Sequence, residues 1–219
     1  LSNLSGQFPD LKCYEISEDA LGRLWIGTAK GVFGLDSVTG DTVRLGSTET
    51  ELGNSADIIS VLVVKGGIWF GSLEGDLFYF DFSTNELERE FGLNLTEGGG
   101  IYGLLSAADG TVWVSSAASI FRLDDSDKVL KFDRTNGVQV GELNFNADIN
   151  LTPEILLFGG NEGINVVRTE QARRNDHRPP VRVTQLLLNN KKTELSGLGM
   201  LALEYGVNGL SVEVAALDY

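Results

Sequence analysis

The chain has 219 residues, of which 42% are hydrophobic and 22% are charged, a composition typical of a globular protein with ample core material. Its formal net charge of −14 argues against binding to nucleic acid or to anionic lipid, since both are negatively charged. No apolar run reaches the roughly 18 residues that a membrane span needs. The single cysteine, Cys13, excludes an internal disulfide and is expected to be a small buried residue.

Short apolar segments separated by turn residues predict strands along most of the chain. Three groups of four strands are predicted, and their fourth strands are polar, as exposed sheet edges are. A fourth group has no evident outer strand. The predicted strands are 11–16, 23–28, 32–36 and 42–45; then 58–64, 68–71, 77–81 and 86–91; then 101–107, 111–115, 120–123 and 129–132.

One motif recurs through these groups at a constant interval of 44 residues. Its positions are Trp25 with Gly27, Trp69 with Gly71, Trp113 with Ser115, and Leu157 with Gly159. A period of about 40–45 residues built from short strands is typical of β-propeller blades. The third copy departs from the pattern by having serine in place of glycine.

The second strand of each group is apolar on both faces, as in Leu24-Trp25-Ile26, which indicates burial on both sides. A propeller blade lies between two others, so its inner strands have no solvated face. The glycine two positions after tryptophan points to the same face and leaves room for the neighbouring blade. We therefore assign the repeated tryptophans and glycines to blade packing rather than to an aromatic ligand platform.

The composition of the sequence changes after the fourth group. Residues 169–180 are polar and end in Pro179-Pro180, which predicts a linker. Residues 181–219 form a second β unit, with strands at 181–188, 201–205 and 210–214 and a turn at Asn189-Asn190.

Residues 17–31, Ser-Glu-Asp-Ala-Leu-Gly-Arg-Leu-Trp-Ile-Gly-Thr-Ala-Lys-Gly, resemble the two-component regulator propeller repeat. Residues 208–219 resemble the opening of the triple-tyrosine immunoglobulin-like domain that follows such propellers. The resemblance implies the periplasmic sensory region of a membrane-anchored bacterial receptor whose output is a histidine kinase or a diguanylate cyclase. It also implies seven-bladed rings, which at this period need more residues than the chain has.

The expected fold is therefore all-β: about four β-propeller blades, part of a seven-bladed ring, followed by the first strands of an immunoglobulin-like β-sandwich. The predicted blades are 1–45, 46–91, 92–132 and 133–168, the linker is 169–180, and the incomplete sandwich is 181–219. Four blades of a larger ring would leave apolar blade faces open. We expect either self-association, as a homodimer or otherwise, or a tightened four-bladed closure.

Propellers present one face built from the loops between second and third strands and the loops between blades. Lys30, Glu74 and Asn161 occupy equivalent places in these loops and are the candidate residues for an unidentified small-molecule or carbohydrate ligand. Glu18 and Asp19 are instead expected to be solvated residues that form a turn. No cofactor, metal site or catalytic residue is predicted.

A non-catalytic sensory function is expected, with two alternatives. A propeller lyase would need a catalytic base and usually a metal, and the only histidine, His177, lies in the linker without a partner at metal-ligand spacing. A purely structural dimerisation scaffold would need neither a ligand nor a catalytic group.

Overall fold

The computed structural model describes residues 11–45, 57–90, 99–123, 129–172, 181–193, 205–206 and 208–216. These residues form antiparallel sheets without any α-helix, and one short 3-10 helix covers Arg134–Asn136. The chain divides into two compact units, Leu1–Arg173 and Arg174–Tyr219. The all-β prediction is confirmed.

The first unit contains four sheets in which every strand pairs with the next along the chain, the arrangement of propeller blades. Blade 1 consists of β1 (Cys13–Glu18), β2 (Arg23–Thr28), β3 (Gly31–Asp36) and β4 (Thr42–Leu45). Blade 2 consists of β5 (Ile58–Val64), β6 (Gly67–Ser72), β7 (Leu77–Asp81) and β8 (Leu87–Glu90). Blade 3 consists of β9 (Gly103–Ser106), β10 (Val112–Ser116), β11 (Ser119–Leu123) and β12 (Val129–Phe132). Blade 4 consists of β13 (Leu143–Thr152), β14 (Ile155–Gly160) and β15 (Gly163–Arg168).

The second unit contains one sheet of three strands, β16 (Val181–Leu188), β17 (Lys191–Thr193) and β18 (Leu210–Ala216), in the order β17-β16-β18. The hairpin between β16 and β17 turns at Asn189 and Asn190, whose φ angles are 49° and 64°. Asparagine tolerates this left-handed conformation, and two such residues suit a tight hairpin. The turn prediction is therefore confirmed, whereas most of the expected strand 201–205 lies outside the described residues.

Three sequence expectations about the first strands were wrong. The first strand of blade 1 covers Cys13–Glu18 rather than 11–16, and that of blade 3 covers only Gly103–Ser106. Cys13 is exposed rather than buried. It pairs with Thr28 at the very end of β1, next to a register shift between Cys13 and Glu15 that interrupts the regular strand alternation.

Aspartates fix the turns between third and fourth strands in blades 1 and 2. Asp36 Oδ1 accepts hydrogen bonds from the backbone N–H groups of Val38 and Thr39, at 2.8 and 2.9 Å. In blade 2, Asp81 Oδ1 accepts the corresponding bonds from Ser83 and Thr84. A short carboxylate that binds backbone N–H groups two and three positions ahead offers the chain a turn instead of a continued strand.

In blades 1 and 3 the tryptophan face packs against the next blade. Trp25 belongs to a buried cluster with Ile58 and Val61 of β5, and its ring stacks on Phe82 at 5.7 Å between centroids. Trp113 is likewise buried against Leu156 and Phe158 of blade 4.

Trp69 departs from its two counterparts because it is only half-buried. Its ring lies 4.8 Å from that of Tyr79, its cross-strand partner on β7, and it packs against the edge of the cluster around Ile101 and Leu104. Blade 2 thus covers this tryptophan partly with its own tyrosine rather than fully with the next blade.

The glycines after the tryptophans lie where adjacent blades come closest. A Cβ atom placed on Gly27 would lie 2.8 Å from the carbonyl oxygen of Ile58 and 2.9 Å from Cγ2 of Val61. A Cβ atom on Gly71 would overlap the side chain of Ile101 in the next blade. Such separations are too short for carbon atoms, so both junctions require glycine.

Blade 4 presents an uncovered apolar face. Leu157 and Gly159 occupy the positions of tryptophan and glycine, but among the residues that the structure describes, a Cβ on Gly159 would meet only Ala147 of its own sheet. On the same face, Ile164 and Val166 are 67% and 57% exposed. Within the described part of the chain, blade 4 also lacks a fourth strand, in agreement with the sequence.

Candidate functional site

The three predicted ligand residues lie on exposed turns between second and third strands. Lys30 follows β2, Glu74 follows β6, and Asn161 follows β14. The Lys30 carbonyl accepts hydrogen bonds from the Arg44 guanidinium, and the Asn161 N–H donates to the Glu142 carbonyl, so both backbones have structural partners. None of the three residues lines any of the three cavities described below, and their ligand role stays a prediction.

The first strands of the four blades converge on one another. Ser60 Oγ on β5 donates to the carbonyl of Ile101 just before β9, and the Asn146 N–H on β13 donates to the carbonyl of Tyr102. The Asn146 side chain also donates, at 3.2 Å, to the carbonyl of Tyr14 on β1. The first strand of blade 4 therefore reaches back to blade 1.

Two carboxylates lie among these strands. Glu15 of β1 accepts a hydrogen bond of 2.6 Å from the backbone N–H of Val61 on β5. The Asp148 carboxylate of β13 lies against Gly103 of β9, so closely that a Cβ there would overlap it. We call Glu15 and Asp148 the axial carboxylate pair.

Burial shifts the protonation of the pair. Burial, with a smaller contribution from the charge of Asp148, raises the pKa of Glu15 to about 7 against the lowering effect of the Val61 hydrogen bond. Burial alone raises the pKa of Asp148 to about 6. The pair therefore changes charge in the neutral range, where ordinary carboxylates remain ionised.

Sequence analysis missed this pair because its members stand 133 positions apart and neither belongs to a motif. The polar residues scattered along β1 and β13 were the only available signal. Within the described ranges, no group of three or more histidine, cysteine, aspartate or glutamate side chains is arranged to hold a metal ion.

A cavity of about 700 Å³ opens beside the turns that join first to second strands in blades 1, 2 and 3. We call it the turn-face cavity. This end of the blades carries none of the predicted ligand residues. Its lining is largely apolar and also includes three charged side chains; the lining residues are Asp19–Leu21, Arg23, Val63–Gly66, Phe82, Ser106–Ala108 and Gly110.

Asp19 holds the polar part of this cavity together. It is buried, with 7% of its surface exposed, so the expectation of a solvated turn residue was wrong. Its carboxylate accepts hydrogen bonds from Trp25 Nε1 at 3.0 Å, from Arg23 Nε at 2.9 Å, and from the N–H groups of Leu21 and Arg23. The aspartate satisfies the indole N–H of a buried tryptophan, which the turn sequence alone does not reveal.

Burial raises the pKa of Asp19, but the hydrogen bonds from Trp25, Arg23 and Leu21 outweigh it and leave this pKa below its usual value. The carboxylate is therefore ionised at neutral pH and balances the charge of Arg23. The Arg23 guanidinium carbon lies 5.3 Å from the ring centroid of Trp25 and 5.4 Å from that of Phe82, close enough for favourable contact between the cation and both rings.

Blade 3 has a similar arrangement, in which a threonine hydroxyl bridges the indole N–H and the aspartate. The indole of Trp113 donates to Thr111 Oγ1 at 3.1 Å, and that hydroxyl donates to Asp109 at 2.6 Å. Arg122 pairs with Asp109 at 3.3 Å. The recurrence indicates that the aspartate–arginine pair is first of all a way of burying a tryptophan.

Two further cavities lie at blades 3 and 4. One of about 530 Å³ is bounded by Trp113, Phe132 and the exposed edge of β15. The other, of about 410 Å³, contains Asp109, Arg122 and Glu154. The first lies along β15, and the second lies at the turns that join first to second strands in blades 3 and 4.

Comparison with known proteins agrees with this geometry. The chain is 23% identical over 184 residues to a protein called histidine kinase P4 from Formosa agariphila, covering 82% of this chain and 13% of that protein. It superposes on the extracellular domain of a hybrid two-component system from B. thetaiotaomicron with a TM-score of 0.57 and 18% identity, covering 83% of this chain and 24% of the other.

A solved β-propeller gives a similar superposition. The WD40 β-propeller domain of Doa1 matches with a TM-score of 0.54 and 15% identity, covering 74% of this chain and 52% of that one. The fold is therefore that of propeller blades. No protein-family model matches the sequence. The chain spans only about an eighth of the histidine kinase and a quarter of the two-component extracellular domain that it matches.

Proposed function

We propose that this chain belongs to the sensory, periplasmic region of a membrane-anchored bacterial signalling receptor and is not itself catalytic. The observation that carries the proposal is the superposition of most of the chain on the extracellular domain of a hybrid two-component system. The sequence similarity to a histidine kinase supports the same class of receptor. Among the described residues, no helix has the length and apolarity of a bilayer span.

The proposed mechanism is a shift between two states of the receptor. A ligand that binds one arrangement of the blades better than another favours that arrangement, by an amount set by the difference in affinity. The change would pass through the sandwich strands to an output module, a histidine kinase or a diguanylate cyclase. The ligand is proposed to be a small molecule or a carbohydrate.

We also propose that the isolated chain self-associates through the free face of blade 4. In blades 1 and 3 the corresponding face packs against the following blade. The face with Leu157 and Gly159 has the same construction but no following blade within the described residues. A blade from a second copy of the chain is therefore its proposed occupant.

A thermal-shift screen of the chain against small anions, carbohydrates and peptides tests the sensory proposal. A compound that binds only the native state raises the unfolding temperature in a concentration-dependent way. At least one such compound is expected. A screen in which no compound raises the unfolding temperature would favour the dimerisation scaffold.

The location and the lyase alternative need separate tests. A fusion of the native reading frame to alkaline phosphatase, placed after residue 219, should be active, because that enzyme matures only outside the cytoplasm.

Turnover of a substrate that disappears in His177→Ala would support the lyase instead; His177 lies outside the described residues.

A further inference from the structure

We propose that the turn-face cavity binds a small organic anion, a molecule with an apolar body of one or two rings and a single acidic head group. This inference deepens the proposed sensory function by naming the class of its ligand. The size of the cavity, about 700 Å³, lies within the usual range for pockets that enclose small molecules.

The apolar body follows from the lining of the cavity. The side chains of Val63, Val64 and Phe82 come from blade 2, and Ala107 and Ala108 come from the first turn of blade 3. None of these side chains can form a hydrogen bond. A ligand rich in hydroxyl groups would leave its own polar groups unpaired against this surface, which is costly.

The acidic head group follows from the charges in the cavity. Lys65 and Arg23 are its two cationic lining residues, and Asp19 is the only acidic one. Asp19 is already fully used by Trp25, Arg23 and Leu21. The cavity therefore has a net charge of +1 on a chain whose net charge is −14.

Arg23 is held in place at the wall of the cavity. Its Nε donates to Asp19, and its guanidinium carbon lies within 5.4 Å of the ring centroids of Trp25 and Phe82. Its two terminal nitrogens make no hydrogen bond to any residue that the structure describes. A guanidinium fixed in this way and left open at its fork can bind a carboxylate or sulfonate through two parallel bonds.

Lys65 supplies the second positive charge. It lies on the exposed turn between β5 and β6, and its ammonium group has no partner among the described residues. Asp36 is near enough to Arg23 to feel its charge, but it does not line the cavity. The two cations thus face the cavity without a competing carboxylate beyond Asp19.

Two fluorescent probes test the inference on the isolated chain. 8-Anilinonaphthalene-1-sulfonate has two ring systems and a sulfonate, whereas N-phenyl-1-naphthylamine has the same rings and no charge. The sulfonate probe should bind at least about fivefold more tightly, since one close charge pair in a solvated site is worth about that factor. Equal affinities of the two probes would overturn the inference.

Variants locate the binding site. Lys65→Gln should weaken binding of the sulfonate probe about fivefold, and Arg23→Lys should weaken it similarly because lysine keeps the charge but loses the fork. Neither change should alter binding of the neutral probe by more than about twofold. Lys131→Gln, which removes an exposed cation outside the cavity, is the matched control and should change neither affinity.

Lys65→Gln is the decisive variant because its side chain is exposed and the fold does not depend on it. If this variant binds the sulfonate probe as tightly as the original chain, the inference is wrong. The sensory proposal is tested by a different measurement, the output of the intact receptor. An output that responds to a ligand while Lys65→Gln has no effect on probe binding would contradict the cavity assignment alone.

Discussion

At the scale of single residues, the two buried tryptophans, Trp25 and Trp113, each donate their indole N–H to a nearby polar side chain, and the residue two positions on is Gly27 in blade 1 and Ser115 in blade 3. The sequence alone predicts that the tryptophans and glycines pack between blades, because they recur every 44 residues. It does not predict that Asp19 is buried, since a turn aspartate is usually solvated and only the fold brings it to the indole of Trp25. The axial carboxylates Glu15 and Asp148 escape prediction because contact between blades 1 and 4 is not encoded in any local pattern.

Replacing Gly71 by alanine should destabilise the chain by about 1–3 kcal/mol, the usual cost of adding atoms to a packed junction. The added methyl group would overlap Ile101 of the next blade. Urea unfolding measures the loss. Gly99→Ala is the control, because its Cβ would lie an ordinary 3.4 Å from Ala117; equal stability of the two variants would contradict the described junction.

The axial carboxylate pair predicts that stability falls as the pH rises. In the folded chain the pKa of Glu15 is about 7 and that of Asp148 about 6, both above their ordinary values. Between about pH 4 and 7 the folded state therefore binds more protons than the unfolded state, and the free energy of unfolding decreases with increasing pH.

Glu15→Gln replaces a titratable side chain with one that does not titrate. The free energy of unfolding of this variant should therefore decrease less steeply with pH. The variant should unfold at a higher temperature than the original chain at pH 8, and the difference should shrink toward pH 4. Thermal unfolding from pH 4 to 8 measures it. Glu74→Gln, on an exposed turn, should leave the pH profile unchanged; a profile that is equally steep in Glu15→Gln would contradict the burial of this carboxylate.

At the scale of the elements, the blades are predictable because strand length, apolar content and turn residues agree. The second strands carry apolar residues on both faces and are buried, and the fourth strand of blade 1 is largely exposed. The fourth blade differs in the face that would meet a further blade. Its exposed apolar residues are Ile149, Leu151, Ile164 and Val166.

Charging or polarising that face should reduce self-association. The double variant Ile164→Asn with Val166→Asn should remain monomeric to higher protein concentration than the original chain. Sedimentation coefficients measured over a range of concentrations test this. Val38→Asn is the control, because Val38 is also exposed but stands alone on a turn of blade 1. If the original chain is monomeric at all concentrations tested, the proposed interface is wrong.

At the scale of the whole molecule, fold and function are supported to different degrees. Propeller blades follow from the 44-residue repeat, from the sheets and from superposition on the WD40 β-propeller domain of Doa1. The sensory role rests on the kind of protein that the chain resembles, because packing residues such as Trp25 and Gly71 say nothing about a ligand. The residues proposed to recognise a ligand lie on turns and strand ends that differ from blade to blade.

The sensory role is tested most directly by the output of the intact receptor, measured in membrane vesicles as a function of a compound that stabilises the isolated chain. The expected result is a change in phosphorylation or cyclic-dinucleotide synthesis that is half-maximal at the concentration at which the compound half-saturates the chain. An output that stays constant while the compound saturates its site would contradict the account.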